Sequence, residues 1–451
     1  MKTTQKMGLA LLAIGFLGLI VPGLEAAEIK VKCDKGQSVQ TVLDGLTGPA
    51  TLVVTGTCTE NIDIRKDDIT IQGGTFVGPD PAQTTIYVEG ARRVLVTGAM
   101  ITGAGNGIGV FYGGALSLEN SCVQGNAKIG VSVNENSSLV LTNCTIQGNQ
   151  GTGVLVQRAS SARIGRNMAG VLSPNQITLN GAAGVAVLQS AYALVDGNTI
   201  TDNSRDGITI QGASATVVNN RIANNIKGIS VTGSGSARIG LTNDNTAGPN
   251  TIEYNSSDGI HCANGAAVYI FSNTIQSNGV YTKRMGVLID HATGELIGDN
   301  IIQGNGGHGV AVNQGALFQG VGDWNLTPGL DSITGNGRSG ISGWNGASLN
   351  IRHLTVTNNA EHGISLSLKS TLRIYDATVS ENGLNGIVLY DGSSVARYSF
   401  DSPRDIITGN SDWGIICYSG SNLIGTTEGI SGNDDGEVNC PPIIIPTPET
   451  E

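Results

Sequence analysis

The chain has 451 residues, 14% charged and 4% aromatic, with 66 glycines and a formal net charge of −11. Acidity of this size argues against nucleic acid and anionic membranes as partners. It also disfavours an acidic polysaccharide unless a local basic patch overcomes the field. The glycines show no three-residue collagen period and suit a chain of many tight turns with small outward side chains.

At the start, Lys2 and Lys6 precede the apolar run "GLALLAIGFLGLIVPGL", which is broken at Pro22 and followed by small residues near Ala26. This layout predicts a secretory signal peptide over residues 1–26 and export to the periplasm, the cell surface or the medium. A membrane anchor is the alternative, although the proline cuts the run short. Loss of Lys2, Lys6 and Glu25 would move the charge from −11 to −12. No later segment is apolar enough to span a bilayer. Residues 27–60 read as an N-terminal cap, because "GQSVQTVLDGL" (36–46) has helical spacing and can cover an open sheet edge.

Residues 61–440 are repeats. "NCTIQGNQGTGVLV", "NTITDNSRDGITI", "NRIANNIKGISV" and "NIIQGNGGHGVAV" are four of them. A marker apolar residue stands at 101, 123, 146, 177, 200, 222, 252, 275, 302, 333, 356, 379, 407 and 430. From Val123 onward each is followed three residues later by Asn. Steps of 22–23 residues, or 27–31 with an inserted loop, indicate a solenoid. Apolar residues alternate within units such as "GVAV" and "GITI", which is strand periodicity. Asn and Gly fall where the strands must bend, since both tolerate a left-handed backbone. Short strands that pair in parallel through right-handed connections make an all-β, right-handed parallel β-helix of about 14 turns, roughly 65 Å long. Leucine-rich repeats share the period, but their spaced leucines are missing.

Seven residues after the marker Asn stand Val133, Val156, Val187, Ile210, Cys262, Val312, Leu366, Leu389, Cys417 and Cys440, an inward column. Cys417 and Cys440 are therefore neighbours on consecutive turns, within reach of a disulfide at the last coil; Cys33 and Cys58 are expected to pair at the first. Cys262 reads as a buried thiol, and Cys122 and Cys144 stay unassigned. The tail 441–451 is proline-rich and reads as disordered.

The tandem "N-x-I-x-x-N-x-x-x-G-I-x-V" units resemble the parallel β-helix repeats of the pectin-lyase-like superfamily over about residues 60–440. That superfamily includes lyases, glycosidases, epimerases and adhesins, so the resemblance implies the fold and leaves the activity open. In its polygalacturonase-like members a Gly-His-Gly histidine and acidic residues sit just before the G-I-x-V strand. The corresponding column here holds Asp206, Lys227, Asp258, His308, Ser339, His362, Asn385 and Trp413. Asp206, Asp258 and His308 are thus the catalytic candidates for a glycoside hydrolase or lyase. Against this, the two aspartates are two rungs apart, about 10 Å, at the upper limit for an acid–base pair. The doubled aspartate of that family is absent, and the basic pair Lys283 and Arg284 precedes His308. His308 is accordingly expected to be a solvated turn residue. The Asp-Pro-His-Asp motif of alginate epimerases is missing. The histidines and Met100, Met168 and Met285 are too dispersed for a soft-metal site, so neither metal nor cofactor is expected.

Two surfaces remain. Inserted loops at 162–175, 237–250, 320–331 and 396–405 recur about every third turn and should line one side. Eight residues after the marker Asn, an outward column carries amides and acids and then aromatics: Asp290, Asn313, Trp344, Tyr390 and Tyr418. Sugar rings stack on aromatic faces and their hydroxyls bond to amides, so this column is the expected ligand-binding track. The reading is an exported β-helix that binds or scaffolds a glycan. The alternatives are a polysaccharide-degrading enzyme and a purely structural or adhesive rod, with the oligomeric state open.

Overall fold

The computed structural model describes residues 26–320, 330–397 and 405–441. The expected signal segment, most of the tail, and most of the loops at 320–331 and 396–405 lie outside these residues. The described chain visits three parallel sheets in rotation, with 17, 16 and 16 strands. The first sheet runs from Ala27–Lys32 to Asn422–Gly425, the second from Ile62–Ile64 to Gly436–Asn439, and the third from Thr57–Cys58 to Ile430–Ser431. Each strand pairs in parallel with the same-sheet strand of the next coil, as Val287 does with Val310 and Asp290 with Asn313. The solenoid has about 17 turns rather than 14. The extra coils come before Ile101, where the strands Ala27–Lys32, Ala50–Thr55 and Ile69–Gln72 already pair with one another although no marker Asn is present. The rod is therefore about 80 Å long.

The expected cap helix spans Val39–Gly45, with Val39 and Leu43 buried. Ser38 caps it by accepting from the Thr41 amide, and Glu60 accepts from the Val39 and Gln40 amides. At the other end the Lys66 ammonium donates to the Leu43, Asp44 and Leu46 carbonyls. Negative charge at the N-terminus and positive charge at the C-terminus both favour so short a helix. Cys33–Cys58 and Cys417–Cys440 are disulfides, with Cα separations of 5.0 and 4.7 Å. Cys262 is a buried thiol, which burial pushes up to about 12. Cys144 is buried in a sheet corner, its amide bonded to Asn175, while Cys122 lies opposite Thr145 on the outer side.

The marker asparagines do something other than bend the chain. None of the thirteen has a positive φ; the residue just before each one does, as Gly125, Leu179, Asp202 and Tyr254 show. The asparagines point inward and form one continuous ladder from Asn126 to Asn433. In it each Oδ1 from Asn149 onward accepts from the backbone amide and the side-chain amide of the preceding rung, for example Asn278 from Asn255 at 3.1 and 2.9 Å. A second ladder, Asn175 to Asn300, ends on the buried Asp331. Buried corners thus satisfy their backbone donors through side chains, as a low-dielectric interior requires. The repeated glycine follows from this ladder. A Cβ at Gly286 would stand 2.7 Å from the Asn305 amide nitrogen and 2.7 Å from the Gly309 carbonyl.

Candidate functional site on the outer face of the second sheet

His308 stands where this sheet begins. Its two glycines have packing reasons: a Cβ at Gly307 would meet the Lys283 carbonyl at 2.5 Å, and one at Gly309 the Asn336 amide at 2.8 Å. The histidine is not the solvated turn residue expected. Its Nδ1 is buried without a partner, and burial, helped by Arg338, pushes the pKa down to about 4. Among the described residues no carboxylate pairs with it, and the ring is neutral near neutrality. His362, two rungs on, is likewise pushed down to about 4 by burial, and its Nδ1 faces the Asn385 amide at 3.3 Å.

The aspartates also part company. Register places the Asp206, Lys227 and Asp258 coils on consecutive rungs, so the aspartates are two apart. Asp206 is half-exposed and accepts from the Thr209 hydroxyl at 3.3 Å. Asp258 has no exposure at all. Its oxygens face the His261 Nδ1 at 3.3 Å, the Met285 amide at 3.1 Å and the Arg284 guanidinium at 3.5 Å. Burial raises its pKa, but these hydrogen bonds and the nearby guanidinium outweigh burial and leave it lowered. A carboxylate so enclosed presents no solvent-facing oxygen opposite Asp206. It faces His261 instead, a pair that sequence reasoning missed because residues three apart fall on opposite faces of a strand and meet here only because Asp258 lies in the bend before the strand Ile260–Ala263. Beside it, Arg205, Asp206, Thr209 and Lys227 border an open groove of about 610 Å³.

Farther along the sheet the expected outward column is present. Asp290, Asn313, Trp344 and Ser367 are direct partners on four consecutive rungs. Leu366 and Leu389 pair, as do Leu389 and Cys417, which places Tyr390 and Tyr418 next in line. Trp344 and Tyr418 are each 44% exposed. Tyr390 and Tyr418 stack, with ring centroids 5.1 Å apart and planes 6° apart, so each covers one face of the other. Burial raises the Tyr390 phenol above its usual range, and Asp290 faces His291 at 3.4 Å. The column is a row of ring faces and hydrogen-bonding groups on a stiff, flat support. Inserted loops at 162–175 and 237–250 are small hairpins, closed by Arg166–Leu172 and Leu241–Ala247 bridges, at the corner between the first and third sheets. They leave strands three rungs apart, as expected, and stand away from this column.

No curated protein sequence matches the chain. Among solved structures it is similar to a mutant of the periplasmic alginate epimerase AlgG, at 12% identity over 87% of this chain and 83% of that one, with a TM-score of 0.40. It is also similar to an Azotobacter vinelandii mannuronan C-5 epimerase A-module (14% identity, 91% and 95% covered, TM-score 0.29) and to a pectate lyase (12%, 94% and 80%, TM-score 0.27). Likeness this distant says nothing of activity. The family described as the right-handed beta helix region matches residues 52–169, 160–270 and 258–427. The chain therefore belongs to the right-handed β-helix family.

Proposed function

We propose that the protein is an exported, non-catalytic glycan-binding rod whose ligand lies along the outer face of the second sheet. The observation that carries this reading is the unbroken column Asp290–Asn313–Trp344–Ser367–Tyr390–Tyr418. It offers ring faces and polar groups at rung spacing on a support that need not reorganise. Trp344 and Tyr390 are about 10 Å apart by rung count, near the length of two sugar units. The enclosed Asp258 and the unpartnered His308 Nδ1 support a non-catalytic reading over an acid–base pair for hydrolysis. Incubation with a panel of polysaccharides, scored for retention and for new reducing or unsaturated ends, tests the reading. Retention without new ends is expected; new ends would overturn it.

One observation favours catalysis as a second reading: Asp258 faces His261 one rung beyond the groove that Lys227 borders. Under that reading the panel yields new ends, and His261→Ala abolishes them.

A further inference from the structure

We propose that the corner between the third and second sheets holds a separate sugar site, in which a neutral glycan lies between Tyr254 and Tyr281. The proposal shares with the preceding section the class of ligand, carbohydrate, and none of its residues.

The corner is built differently here. From ladder asparagine to repeat glycine the usual length is four residues, as from Asn305 to Gly309; from Asn278 to Gly286 it is eight. The extra residues are firmly held. The Thr282 and Arg284 amides both donate to the Gly279 carbonyl at 3.1 Å, the Thr282 hydroxyl to the Ser256 carbonyl at 2.6 Å, and the Arg284 Nε to the Ser257 hydroxyl at 3.3 Å. What this scaffold presents is apolar and outward: Tyr281 is 99% exposed and Val280 50%. A chain with only 4% aromatic residues has placed one at the tip of an anchored loop, in water.

Tyr254 faces the same space from one rung back, 56% exposed, with a φ of 55°. At its position just before the ladder asparagine, glycine stands in six other coils, Gly125, Gly148, Gly304, Gly335, Gly409 and Gly432. A bulky residue in the left-handed region is strained, and such strain gathers where a side chain is needed. Between the two tyrosines runs a groove of about 750 Å³ with Ile226 and Val280 in its walls and Asn224 and Ser277 on its polar side.

Aromatic walls with amides and hydroxyls between them match the alternating faces and edges of a sugar ring. Among the described residues no charged side chain borders the groove, in a protein of net charge −11, so nothing there would compensate a charged ligand. A neutral hexose or pentose polymer fits; a uronate polymer does not. The groove meets the one beside Asp206 at Ser204 and Ile226, so a chain can continue onto the second sheet. Trp344 lies two rungs beyond the strand Val287–Asp290 that follows the loop, so the two sites can engage different chains.

Affinity electrophoresis in gels cast with hydroxyethylcellulose, xylan, galactomannan or a β-1,3-glucan tests the site with the full protein. At least one of these gels should retard the wild type. Tyr281→Ala should weaken the affinity about tenfold, the worth of one stacking contact, whereas Tyr281→Phe should stay within about twofold. Both variants should keep the wild-type Tm, because the side chain is exposed. Absence of retardation in all four gels overturns the proposal, as does wild-type retardation of Tyr281→Ala. A loss confined to Trp344→Ala leaves the second-sheet track standing and removes this site. A loss confined to Tyr281→Ala does the reverse. Self-association that Tyr281→Ala abolishes, without retardation in any gel, makes the patch an interface between copies and also overturns it.

Discussion

Replacing Asn278 with Ala should open the rod locally while leaving its ends intact. The side chain closes four hydrogen bonds inside the solenoid. Its Oδ1 accepts from the Asn255 amide (3.1 Å) and the Asn255 side chain (2.9 Å), and its Nδ2 donates to the Ile252 carbonyl and to Asn305, both at 3.0 Å. Some of these groups keep another partner: the Asn255 side chain still donates to the Ile222 carbonyl, and Asn305 Oδ1 still accepts from the Asn278 amide. What is orphaned is the Asn255 backbone N–H, one hydrogen of the Asn255 amide, and an acceptor on Ile252. Each unsatisfied buried group costs about 1–3 kcal/mol. Entry of a water into the vacated space favours the lower part of that range, giving a loss of about 3–5 kcal/mol. Coils of a solenoid touch only their neighbours, so the loss should stay near the substitution. Hydrogen exchange resolved by peptide should show opening over residues 252–305 and unchanged protection near residues 133 and 389. A local loss below about 1 kcal/mol, or a loss spread evenly along the rod, would refute the claim that the ladder is an energetic spine.

Replacing Cys417 and Cys440 together with Ser should cost about 2–4 kcal/mol in the last coil and nothing measurable in the middle. Peptide-resolved exchange reads this, and a uniform change would contradict it. Stability should also fall with acid through the histidines. His308 and His362 have folded pKa values of about 4 against 6.5 for the free residue. Their contribution is therefore full above pH 6.5 and is lost as the unfolded chain takes up protons between 6.5 and 4. Asp331, raised to about 6 chiefly by burial, acts in the opposite sense over the same window, so the comparison must be between variants. The His308→Gln, His362→Gln double variant should flatten the fall in urea midpoint relative to wild type, and an unchanged slope would count against burial as the cause.

The repeat was legible because a solenoid writes its geometry into the chain at constant period. The inward column from Val133 to Cys440, the Cys417–Cys440 disulfide and the outward order Asp290–Asn313–Trp344 all follow from counting residues past a marker. The first coils were not legible, since Ala27–Lys32 and Ala50–Thr55 pair without the asparagine that identifies later turns. The meaning of that asparagine was misread as well: the left-handed residue is its predecessor, and the asparagine itself is a buried ladder rung. Burial is what a period cannot report. Asp258 and Asp206 occupy the same column, yet the inserted segment before Gly286 brings Arg284 and the Met285 amide onto one and not the other. The same insertion carries Tyr281, and an interruption of the repeat was the signal that could have found it.

The central claim is that a glycan lies on the aromatic column and that the histidine row takes no part. The most direct measurement is retention of wild type, Trp344→Ala and His308→Ala on whichever polysaccharide the wild type binds best. Trp344 is outward and 44% exposed, so its loss should spare the fold and weaken binding by about 1–2 kcal/mol, while His308→Ala binds as wild type. Loss of binding in His308→Ala with full retention by Trp344→Ala would contradict the account.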